Sequence, residues 1–158
     1  MRIVVYGDPA PQGSKSFKGT FTGKDGRTHA KLAESSKRVA PWRQDVKLAA
    51  EAEIEGRGDP AAWVPMDGPL LLVVVFTLPA PQSLPKRRAS HPAKMPDLSK
   101  LIRSTEDALT AAGVWKDDSR VVEVRAAKTY PAHVIGAHAD ALMRPGAVIR
   151  VFPLGELG

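Results

Sequence analysis

The sequence predicts an α+β fold: one mixed β-sheet with two main helices packed on it, forming a single domain over residues 1–158. Three observations carry this reading. Residues 70–76, LLLVVVF, are continuously apolar and bounded by Gly68-Pro69 and Pro79, the pattern of a central strand buried on both faces. Beyond them, Leu98, Leu101, Ile102, Thr105, Ala108, Leu109 and Ala112 recur at the spacing of a helix with one buried face. Strand and helix patterns then interleave along the chain, which calls for helices layered on a mixed sheet.

Each element follows in turn. Residues 2–6, RIVVY, are short and β-branched and form a first strand. Residues 7–16, GDPAPQGSKS, are a turn-rich loop; Gly7, Gly13 and Lys15 do not match the spacing of a nucleotide-binding P-loop, leaving a simple turn or a backbone phosphate nest. Residues 17–37 are basic and contain glycine, reading as a hairpin or an extended arm. Residues 41–55 are helical, with Trp42, Val46, Ala49, Ala50 and Glu53 at helical spacing and Arg43 and Lys47 outward, and residues 56–60 break the helix. A central strand spans 68–78. Residues 79–96, rich in proline and bases, form a long loop. The second helix begins behind Asp97 and stops at Gly113. Strands follow over 121–128 and 146–153, with an irregular stretch over 131–145. The last two strands are expected to pair through the loop between them.

The 158-residue chain is 43% hydrophobic and 25% charged, a globular composition. Its formal charge is +6, which favours a polyanionic partner over simple solubility only in combination with other signals. With no cysteine, it has no disulfide, no thiolate nucleophile and no cysteine-based zinc site, as suits a reducing cytosol. Residues 1–11 lack the apolar stretch of a signal peptide, and no run approaches the ~20 apolar residues of a membrane span. A cytoplasmic location and no membrane association are therefore expected.

The candidate chemistry lies in residues 96–118, PDLSKLIRSTEDALTAAGVWKDD. Acids stand at both ends of a helix–turn–strand unit, Asp97 at the entry and Asp117-Asp118 after the turn, and could converge on a metal ion. A divalent cation held by carboxylates activates water and offsets transition-state charge in phosphodiester cleavage. The plainer alternatives are a helix N-cap for Asp97 and a polar turn for Asp117-Asp118. Lys100, Arg103 and Asp107 share the opposite helix face, either as a cation beside a scissile phosphate or as a solvated i, i+4 ion pair between Arg103 and Asp107. Lys86, Arg87, Arg88 and Lys94 in the long loop, with Lys15 and Lys18 in the arm, are candidate DNA contacts. The four histidines are scattered in loops and read as surface residues. Trp42 and Trp115 read as packing residues, with stacking of Trp115 on a base as the alternative.

The same segment resembles the RusA family of Holliday-junction resolvases. That family is marked by a D-L-D-N-L-x-K-x-x-x-D-A-L-T segment followed by a G-x-W-x-D-D turn. Here Asp97-Leu98-Ser99-Lys100-Leu101-Ile102-Arg103, Asp107-Ala108-Leu109-Thr110 and Gly113-Val114-Trp115-Lys116-Asp117-Asp118 stand in that order. The close match covers about thirty residues, and the remaining elements follow the family's order loosely.

The resemblance implies a homodimeric endonuclease, dependent on Mg²⁺ with Mn²⁺ as a substitute, that nicks four-way DNA junctions symmetrically. Its first acid maps to Asp97, its last to Asp118 and its helix lysine to Arg103. Asp117 assists as a ligand or from behind one, and Lys100 joins Arg103 at the phosphate. One departure matters: the family's second acid is Ser99 here, which removes a charge. Asp117, or an acid from a partner subunit, is the expected compensation, since Asp107 lies too far along the helix to share an ion with Asp97. The alternative implied by Ser99 is a branched-DNA-binding protein with little or no catalytic power. The family's habits further suggest a phage or prophage origin.

Overall fold

The computed structural model describes the chain except residues 14, 35–36 and 157–158, and gives the backbone alone at 15–18, 29–34 and 156. Its centre is the strand expected from the apolar run. We call the strands β1 (Arg2–Tyr6), β2 (Lys15–Thr22), β3 (Thr28–Glu34), β4 (Leu70–Thr77), β5 (Val121–Thr129) and β6 (Gly146–Pro153). Four of them form one mixed sheet in the order β1-β6-β4-β5. β4 lies between β6, antiparallel to it, and β5, parallel to it. β2 and β3 pair as a separate two-stranded hairpin, the arm anticipated from the sequence.

The expected pairing of the last two strands is not made, because β4 stands between them. Burial explains the order. β4 is buried at every residue but Val73, and β6 is buried along Gly146–Ile149, so both belong in the sheet interior. β5 is mostly half-exposed or exposed and settles at the edge. Its parallel pairing with β4 then requires a crossover, which α2 provides.

The helices are α1 (Val39–Glu55) and α2 (Leu98–Ala111). Pro41 falls in the first turn of α1, where its missing N–H leaves no helical bond unmade. The inward residues Trp42, Val46, Ala50 and Ile54 recur every four positions. On α2, Leu101, Thr105, Ala108 and Leu109 are buried as anticipated. Ser104 is buried too, its hydroxyl donating to the carbonyls of Ala10 (2.6 Å) and Leu101 (3.1 Å). Gly113 ends α2 with φ +75°, a left-handed conformation that glycine adopts without steric cost.

Both helices rest against alternate residues of the sheet: Leu70, Leu72, Val74 and Phe76 of β4, with Ile3, Val5, Ile149 and Val151. Trp42 joins the layers. Its ring meets Phe76 at 6.4 Å, tilted by 59°, and its indole N–H donates to Thr105 Oγ1 at 3.2 Å.

Candidate active site

The entry to α2 is built from three loops. The backbone N–H of Gln12 donates to Lys100 O at 2.9 Å, and Ser104 binds the Ala10 carbonyl, so residues 7–13 lie along the first turns of the helix. On the other side, Lys128 Nζ donates to the carbonyls of Lys94 (2.6 Å) and Pro96 (3.0 Å), which fastens the chain before Asp97 to the end of β5. Between these walls runs a groove of about 850 Å³. Asp97 lies on it, at the N-cap position of α2, yet its side chain makes no capping hydrogen bond. The carboxylate is 55% exposed and faces Lys100 Nζ at 3.8 Å. Asp97 thus holds the N-cap position of α2 without closing a capping bond.

The second acidic element sits at the far end. Asp117 Oδ1 accepts from the Ser119 N–H at 2.8 Å, so Asp117 caps the short turn Asp118–Arg120. Bonding to Ser119 holds its carboxyl below the usual range. Asp118 is exposed at the start of that turn. Glu106 of α2 is half-buried; burial raises its carboxyl above the usual range, and the charges of Asp118 and then Asp107 push it the same way. Nearby, Asp67 accepts from Arg120 (2.6 Å) and Lys116 (3.1 Å), and both bonds lower its carboxyl.

These two ends do not meet within one chain. β5 pairs Val121 with Leu70 and Thr129 with Thr77. Asp118 precedes the first of these rungs, and Asp97 follows Pro96, whose carbonyl accepts from Lys128 one rung before the last. α2 lies between them in the chain, and its 14 residues make it about 21 Å long. Among the described residues no group of three or more histidines, aspartates or glutamates comes close enough to hold a metal ion. The structure sets the two acids on either side of α2, Asp97 before the helix and Asp118 in the turn after it.

Asp107 is also placed differently from the ion pair with Arg103. Its carboxylate takes Arg43 of α1 at 2.7 Å, and the same guanidinium also bonds the Gln12 side chain. Arg103 is exposed, and its charge acts on Glu106. Trp115 is 1% exposed, with its indole N–H on Thr110 Oγ1 at 2.7 Å, so it packs and cannot stack on a base. Lys86, Arg87, Arg88 and Lys94 are exposed along the long loop. The backbone of Lys15 and Lys18 lies in β2, and their side chains fall outside the described residues. Sequence reasoning passed over Glu106, which a strict two-face reading of α2 assigns to neither face, and Lys37 and Arg38, which line the groove ahead of α1.

No curated protein matches the chain. A family model does, described as endodeoxyribonuclease RusA, over residues 7–135. The matched span contains both ends of α2, the groove beside Asp97 and the Asp117-Asp118 turn, and covers most of the 158 residues. The chain therefore belongs to the RusA family, endodeoxyribonucleases that act on branched DNA junctions.

Proposed function

We propose that this protein resolves four-way DNA junctions as a Mg²⁺-dependent homodimer that nicks two strands symmetrically. The observation that carries the dimer is the separation of Asp97 from Asp118 along α2. One Mg²⁺ binds oxygens at about 2.1 Å, so two ligands of the same ion lie within about 4 Å of each other. The acids of one chain do not fit that requirement, whereas Asp97 of one protomer and Asp118 of a second copy can. A two-fold dimer then carries two equivalent sites, matching the two equivalent strands of a junction. An apolar strip beside Asp118 supports the same reading: on edge strand β5, Val122 is 63% exposed and Val124 41% exposed.

The donor set suits a hard cation, being carboxylate oxygens in a chain without cysteine. When bound, Mg²⁺ supplies an activated water and offsets charge on the phosphate. Asp97 and Asp118 would hold it, with Asp117 keeping the Asp118 turn in shape. Arg103 would clamp two phosphate oxygens with its planar guanidinium. Lys100, 3.8 Å from Asp97, would join Arg103 at the phosphate. The basic loop around Lys86–Arg88 and Lys94, with Lys15 and Lys18 of the arm, would hold the junction arms through phosphate contacts.

The test is a labelled synthetic four-way junction incubated with the protein in Mg²⁺ and in EDTA. Paired nicks at symmetric positions that vanish in EDTA and in Asp118→Asn are expected. Binding without nicking in either Mg²⁺ or Mn²⁺ would instead support a junction-binding protein disabled by Ser99.

A further inference from the structure

We infer that the groove beside Asp97 receives an unstacked nucleobase next to the scissile phosphate. The inference rests on the nuclease reading above and adds a ligand class and a place for it.

The groove's volume of about 850 Å³ lies within the ~300–1,000 Å³ usual for sites that take small molecules. Its lining is largely apolar. Leu78 and Pro79 at the end of β4, Met95 before Asp97 and Tyr130 after β5 all face it. Met95 is 81% exposed, an unusual position for a large apolar side chain directly beside a candidate metal ligand. These four side chains carry no charge with which to bind a phosphate. Flat apolar and aromatic surfaces instead suit the face of a base.

The charges lie where the sugar–phosphate chain would pass. Lys37, Lys94 and Lys100 line the same groove, and the one other acid there, Asp8, is turned to Arg38 at 3.3 Å. A base on the apolar surface with its phosphates toward the lysines is thus complementary in both chemistry and charge. At the crossover of a four-way junction stacking is already interrupted, which lowers the cost of taking one base out.

The experiment uses the full-length protein labelled with ¹³C at its methionine methyls. A four-way junction is added in EDTA, with binding followed in parallel by gel shift. A base lying over Met95 is expected to move that methyl resonance upfield by its ring current. Met143, 69% exposed outside the groove, serves as the control and is expected to stay in place. An abasic residue at the nucleotide flanking the nick should abolish the Met95 shift while leaving binding intact, and Tyr130→Ala should reduce it. Junction binding with the Met95 methyl unmoved, or moved equally by the abasic junction, overturns the groove inference and leaves the nuclease reading standing. Absence of any junction binding overturns both.

Discussion

Mixing two inactive variants gives the sharpest test of a site shared between protomers. Asp97→Asn and Asp118→Asn each remove one carboxylate charge from opposite ends of α2. Each homodimer should lose roughly 100-fold or more in nicking rate, because charge stabilisation by a catalytic metal is worth several kcal/mol. Within one chain the two residues are separated by a helix about 21 Å long, and no side-chain rotation spans that gap. If the sites are shared, a heterodimer of the two variants has one site with both substitutions and one with neither. Random assortment makes about half of the dimers mixed, so about a quarter of the wild-type sites return. The assay is cleavage of an end-labelled junction after the two proteins are refolded together in equal amounts. Single-strand nicks should reappear, while the paired nicks that separate the junction should remain scarce, since each mixed dimer holds one working site. No recovery, with mixed dimers demonstrated by mass spectrometry, would refute the argument from the topology of α2 and return both acids to a single chain.

Other outcomes follow from individual residues. Ser99→Asp restores a carboxylate two positions after Asp97 and should raise the nicking rate or lower the Mg²⁺ concentration needed, measured by a metal titration of junction cleavage. Trp42→Ala opens a cavity between both helices and β4 and strands the Thr105 hydroxyl; a loss of about 3–5 kcal/mol in urea unfolding is expected, with cleavage retained below the transition. Glu106 has a carboxyl raised chiefly by burial, so wild-type stability is fully present below its unfolded pKa and declines as pH rises through the folded one. Glu106→Gln should therefore be more stable than wild type at pH 7, with the difference closing below about pH 4.5, as read from thermal midpoints across pH. The gain should be small, because the side chain is only half-buried and water screens its neighbours.

Much of this protein is written locally. The run LLLVVVF demands an interior strand because it offers no polar face to water, and β4 is that strand. The period of α2, its stop at Gly113 and the alternation of β6 each follow from neighbours a few residues apart, so sequence alone placed them to within about two residues. The motif residues Asp97, Arg103 and Asp118 were legible for the same reason, as was the family to which they point. Tertiary structure decided what depends on distance across the fold. It put β4 between β5 and β6, since the sheet interior goes to the strands buried on both faces. It gave Asp107 to Arg43, a residue 64 positions away that no helical period relates to it. It buried Trp115, joined three separate loops into the groove beside Asp97, and set that residue before α2 with Asp118 in the turn after it. A motif records which side chains are present and in what order. The rigidity of the helix between two of them sets whether one chain can bring them together.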